Sequence, residues 1–141
     1  MAGMGDGVSG MDTFGMTKWE EHVASGEEGG PRVACVHAAM EYSGVIQGAA
    51  TGDYLLYYPG EGYDGGATTS PGYDRFDGTV DGRRGTFVVR QEWSFDPKSI
   101  SSKFEVVPGS GTGELAAIGG TGTVHGVLGE PTVSYTFDYT L

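Results

Sequence analysis

Asp74 is the side chain that the sequence best equips for acid–base chemistry. It lies in Tyr73–Val80, where alternation puts it on one strand face with Phe76 and Val80. A carboxyl group among aromatic rings loses its hydration, so its pKa rises and it becomes a general acid or base near neutral pH. Gln91 sits between Val89 and Trp93 on the face that also carries Phe87. Tyr54, Tyr135 and Tyr139 bring hydroxyls to otherwise apolar faces. The predicted site therefore has Asp74 as its catalytic group, with Gln91, Trp93, Tyr54, Phe76, Phe87, Tyr135 and Tyr139 contacting a substrate. Plainer roles compete for the same residues. Asp74 could pair with an arginine or point outward at a bulge, Gln91 could bond a tyrosine, and the tyrosines could be packed core with satisfied hydroxyls.

The remaining reactive residues point to less. His22, His37 and His125 are scattered, without metal-ligand spacing and without a cysteine pair, so neither a metal site nor a cofactor is expected. His37 and Glu41 share the polar side of one strand and read as an exposed pair on the outer wall. Cys35 is the single cysteine, which rules out an internal disulfide, and its apolar context suggests a buried, inert thiol. Arg83-Arg84 reads as a solvated turn. The segment Pro108-Gly-Ser-Gly-Thr-Gly113 lacks the GxxxxGK[ST] pattern of a phosphate loop, and Ser110 has no nucleophile-elbow context.

Positioning such a site falls to strands. Arg32–Tyr42 alternates with period two. Ser43-Gly44 makes a tight turn, and a partner strand runs to Tyr58. A helix over Arg32–Tyr42, capped by Gly44, is the competing reading. Thr13–Glu21 is a first strand, 25–31 a loop and 59–72 a long Gly/Pro-rich loop. Tyr73–Val80 and Gly85–Phe95 flank an Asp81-Gly82 turn, and Ser99–Val107 alternates again. Residues 108–113 turn the chain, and Glu114–Val127 is small and Gly-rich. In Thr132–Leu141 the residues Val133, Tyr135, Phe137, Tyr139 and Leu141 all face one way. Seven or eight short strands at hairpin spacing imply a sandwich or a closed barrel. So apolar a final strand favours closure, with the last strand bonded to the first.

The composition agrees with one small domain. The chain has 141 residues, 16 of them aromatic (2 Trp, 8 Tyr, 6 Phe), so it can bury a core without a staple. Its 27 glycines show no G-X-Y period and read as turns and bulges between strands. Residues 1–12 are expected to be a flexible Gly-rich tail and 13–141 a single β-barrel domain. The net charge of -11 disfavours nucleic acid and anionic membranes as partners. No window approaches the ~20 apolar residues of a membrane span, and the N-terminus lacks a signal-peptide core, so a cytoplasmic protein is the expectation.

Several stretches together resemble an uncharacterised bacterial family with an allene oxide cyclase-like barrel. They are Phe14-Gly-Met-Thr-Lys-Trp19-Glu-Glu, Tyr42-Ser-Gly-Val-Ile-Gln-Gly48 and Tyr73-Asp-Arg-Phe76-Asp-Gly-Thr79. To these add Gly85-Thr-Phe-Val-Val89, Val106-Val-Pro-Gly-Ser-Gly-Thr-Gly-Glu-Leu115 and Tyr135-Thr-Phe-Asp-Tyr139. The resemblance spans roughly residues 12–141. It implies an eight-stranded antiparallel closed barrel, often oligomeric, and no established activity. Three positions depart from the family pattern: Gln91 where His is expected, Trp93 where a small residue is expected, and Gln47 where an acid is expected.

A barrel of about eight strands is filled by side chains or holds one small ligand. The expected function is therefore a cofactor-free cyclase or isomerase that folds a lipophilic small molecule in the lumen. The alternative is a non-catalytic barrel for a small hydrophobic ligand, or a structural assembly domain. The expected partners are a lipophilic small molecule and further copies of the chain in a homo-oligomer.

Overall fold

The computed structural model describes residues 12–60, 68–96 and 98–141. They form eight antiparallel strands: β1 (Thr13–Gly26), β2 (Arg32–Ser43), β3 (Ile46–Tyr58), β4 (Thr68–Val80), β5 (Arg83–Phe95), β6 (Ser99–Val106), β7 (Gly119–Val127) and β8 (Val133–Thr140). Each strand pairs with the next in sequence, and the sheet returns on itself where Thr13 and Phe14 of β1 meet Ser134 and Val133 of β8. The one helical element is a 3-10 turn at Gly113–Leu115. Arg32–Tyr42 is accordingly strand, and the competing helix is not formed.

Alternation sorts the side chains. Along β3 every second residue from Ala50 to Tyr58 is buried, and β5 does the same from Phe87 to Phe95. The inward rings pack in contact. Phe14 stacks on Tyr42 with centroids 4.6 Å apart, and Phe76 stacks on Phe87 at 4.7 Å. Tyr42 meets Phe76 edge-on at 4.9 Å, a favoured arrangement of ring quadrupoles. At the β4–β5 hairpin, Asp81 (φ 47°) and Gly82 (φ 83°) both take the left-handed conformation that a two-residue turn of this kind requires.

Several expectations need correction. β1 continues past Glu21 to Gly26, and β4 begins at Thr68 rather than after Gly72. Pro71 and Gly72 suggested a loop, yet both are paired with β5. Arg83 and Arg84 open β5 rather than lying in a turn, and Arg84 pairs with Asp77 at 3.1 Å. The expected tail over 1–12 falls outside the described residues except at Asp12. That residue is tied down: its carbonyl accepts from Tyr135 N and its carboxylate from Val45 N. Residues 61–67 of the expected long loop also lie outside. Cys35 is half-buried on the outer side of β2 rather than in the core.

Closure at β1 is partial. Only its first two residues pair with β8, so from Gly15 onward β1 is bonded to β2 alone among the described residues. Its inner side there is only partly covered among the described residues: Glu21 accepts from Tyr58 Oη at 2.8 Å, while Met16 stays 38% and Trp19 41% exposed.

Candidate functional site

Asp74 is completely buried at the midpoint of the ring interior. Its position follows from register: on β4 it stands level with Gly52 of β3 and Val89 of β5. Gly52 matters because a Cβ there would collide with Tyr54 Oη and Asp74 Oδ1. Gly72 likewise leaves space for the Tyr54 ring. Small residues on these strands thus open the volume into which the tyrosine and the carboxylate turn.

The carboxylate accepts two hydrogen bonds. Tyr54 Oη donates to Oδ1 at 2.5 Å and Gln91 Nε2 donates to Oδ2 at 2.9 Å. Ser102 Oγ donates to Gln91 Oε1, which fixes the orientation of the amide. The result is a buried chain running Ser102–Gln91–Asp74 with Tyr54 on the other carboxylate oxygen. Among the described residues no arginine pairs with Asp74. Arg32 instead donates to Gly60 O at 2.6 Å and lies over the Tyr58 ring.

Burial dominates the electrostatics. The Asp74 carboxyl is raised to about 6: desolvation outweighs the Tyr54 and Gln91 hydrogen bonds, which lower it, and the nearby Asp53 charge adds to the rise. Tyr54 is held well above its ordinary value by burial and by the Asp74 charge. Tyr42 is raised by the same two causes. Asp74 is thus the group on the interior wall that can change charge near neutral pH.

Among the described residues, two further polar atoms face the interior without a hydrogen-bond partner, Ser70 Oγ and Trp93 Nε1. They are cross-strand neighbours, since Ser70 pairs with Trp93 in the β4–β5 register. Trp93 Nε1 lies toward Tyr54 Oη, close enough to lower the tyrosine pKa slightly, but does not reach hydrogen-bond geometry. Unsatisfied buried donors are uncommon, and they readily donate to a water or a ligand oxygen.

Of the residues expected to form the site, Asp74, Tyr54, Gln91, Trp93, Phe76 and Phe87 all face the interior and are buried. Tyr135 is buried too, but its hydroxyl ties the β2–β3 turn: it donates to Ser43 O at 2.9 Å and accepts from Ile46 N at 2.9 Å. Tyr139 lies at the rim, half-buried, with its hydroxyl on Asp81. Neither hydroxyl joins the Asp74 cluster. Ser102 was legible in the alternation, since it shares a face with Phe104 and Val106. Ser70 was hidden by the loop reading of 59–72.

The outer residues behave differently. His37 pairs with Asp53 at 2.8 Å, both exposed, while Glu41 stands apart. The principal cavities of the described residues, about 350 to 420 Å³, lie on the outer wall and at the strand ends. No group of three His, Cys, Asp or Glu among the described residues could hold a metal ion.

Comparison with known proteins places the fold. A family model described as "Protein of unknown function (DUF3224)" matches residues 11–139. A crystal structure of a protein of unknown function from the same family, from Shewanella oneidensis MR-1, superposes with a TM-score of 0.69 at 20% identity. That alignment covers 93% of this chain and 98% of the other. No curated protein matches. No helix of the described residues is long and apolar enough to cross a membrane.

Proposed function

The chain belongs to the DUF3224 family, and on that premise we propose that its ring of strands is an allene oxide cyclase-like barrel acting as a small-molecule cyclase or isomerase. The substrate is lipophilic, matched to the Phe76, Phe87 and Trp93 wall. The supporting observation is a fully buried carboxyl, poised near pH 6, inside that aromatic wall. Ring closure of a bound conformer needs little covalent chemistry. The wall fixes the reactive geometry, and one group moves a proton or steadies developing charge. Asp74 fills that role, and the unpartnered Ser70 Oγ and Trp93 Nε1 donors can hold a substrate oxygen beside it. No cofactor is needed for this chemistry.

A second reading rests on a specific observation. Among the described residues the inward-facing rings are buried, the cavities described above lie outside the ring, and both Asp74 oxygens are satisfied. On that reading the polar chain is a core device and the barrel serves assembly. Under the first reading, a ligand must displace side chains on its way in, and the partly covered inner side of β1 at Met16 and Trp19 is the open flank.

Incubation with linoleic acid monoepoxide and with retinal, followed by chromatography and mass spectrometry, separates the two. The enzyme reading expects a product of unchanged mass and altered mobility. Its rate should change through about pH 6, and Asp74→Asn should abolish it. Turnover untouched by Asp74→Asn removes the acid–base role. No turnover together with an unchanged near-ultraviolet circular dichroism spectrum favours the assembly reading.

A further inference from the structure

We propose that the free edge of β1 is the interface between two copies of this chain, paired antiparallel about Trp19. From Gly15 to Gly26 this strand has a hydrogen-bonded neighbour on one side only among the described residues. An open edge of that length presents a row of backbone donors and acceptors and is a template for strand pairing. Its registry with β2 is broken between Met16 and Lys18 and again between Val23 and Ser25. The six residues between the breaks, Lys18–Val23, keep a regular ladder.

Symmetry restricts how two such edges meet. A two-fold axis perpendicular to the sheet keeps the outer side of one copy against the outer side of the other. Each possible register is then centred on one residue, which faces its own copy. Centring on Lys18, Glu20 or Glu21 sets two like charges directly opposite, which destabilises the pair. Centring on Trp19 sets Lys18 opposite Glu20 of the second copy, twice, with the two indoles face to face. Centring on His22 gains no charge pair for Lys18 or Glu20. Lys18 and Glu20 are more than half exposed, and their contact along the strand at 3.9 Å is weak, so each can exchange it for a partner across the edge. Trp19, at 41% exposure, gains apolar cover that its own ring of strands does not supply.

This inference does not rest on the cyclase proposal, because Asp74 and its hydrogen-bond partners play no part in it; Trp19, which also borders the open flank, is the one residue the two share. Sedimentation velocity and light scattering over a concentration series test it, with Trp19 emission as a local probe and the near-ultraviolet signal of buried Trp93 as a fold control. The wild-type chain should form dimers, with Trp19 emission moving to the blue as they form. K18E and E20K should each weaken dimerisation by about tenfold or more, since each converts two attractive pairs into two repulsive ones. The double variant K18E/E20K restores opposite charges across the edge and should dimerise like the wild type. A wild type that stays monomeric to about 1 mM overturns the proposal. So does a dimer indifferent to the single swaps, or a double swap that fails to restore it.

Discussion

Replacing Asp74 by Asn should stabilise the protein at neutral pH and not in acid. In the folded chain the carboxyl is raised from 3.8 to about 6, chiefly by burial. An unfolded Asp keeps its ordinary value, so the folded state holds its proton to higher pH than the unfolded state does. Below about pH 3 both states are protonated and the group contributes no pH dependence. Between about pH 4 and pH 6 the unfolded chain ionises while the folded chain does not, so stability falls as pH rises. Above about pH 7 both are ionised and the loss is complete. At about 1.4 kcal/mol per pH unit, the displacement amounts to roughly 3 kcal/mol.

The amide can take the place of the carboxylate without stranding a neighbour. Tyr54 Oη still finds an acceptor oxygen. The new NH2 group faces Gln91, whose own amide turns over to accept from it, and the Gln91 NH2 then meets Ser102 Oγ, which can accept. The variant should therefore keep a satisfied chain and lose only the penalty for ionisation. Urea denaturation of both proteins from about pH 4 to pH 8, at fixed ionic strength, isolates the effect, because all other titrating groups are shared. The difference in unfolding free energy should move in favour of the variant by about 2–3 kcal/mol across that range, most of it before pH 7. A difference that stays flat with pH refutes the reasoning. So does one that moves in favour of the wild type, since that would mean a depressed carboxyl held by solvent or a cation.

Three further substitutions probe the same cluster. Tyr54→Phe removes a hydrogen bond that lowers the Asp74 pKa, so carbon-13 carboxyl titration should show Asp74 moving above about 6, with about 1–3 kcal/mol lost above that pH. Asp53→Asn removes a charge that raises it, so the same titration should move downward, while stability changes by less than about 1 kcal/mol because the His37–Asp53 pair is exposed. Gly52→Ala drives a methyl group into Tyr54 Oη and Asp74 Oδ1 and should cost about 1–3 kcal/mol in denaturant unfolding, with the Tyr54–Asp74 hydrogen bond broken or displaced.

What the sequence disclosed and what it hid have one physical origin. Wherever an inner face is covered, period-two alternation is enforced by burial, and β2, β3 and β5 could be read residue by residue. Asp74, Gln91 and Ser102 fall on the interior by parity alone. Where the inner face is only partly covered the pattern lapses, and the end of β1 at Ser25 and Gly26 reads as loop because little core selects its residues. Glycine misled in the opposite direction. Gly72, beside Pro71, has the composition of a turn, yet it lies inside β4 because the Tyr54 ring occupies the space its side chain would fill. Gly122 of β7 does the same beneath Phe104. In a ring this narrow, large inward rings need neighbours with no side chain at all, so part of the glycine that punctuates turns elsewhere is core here. That trade leaves the interior full while still admitting one carboxylate. It also locates where space could be made: the Tyr54 ring, which lies against Gly72 and bonds the carboxylate, is the side chain whose movement would free volume beside Asp74.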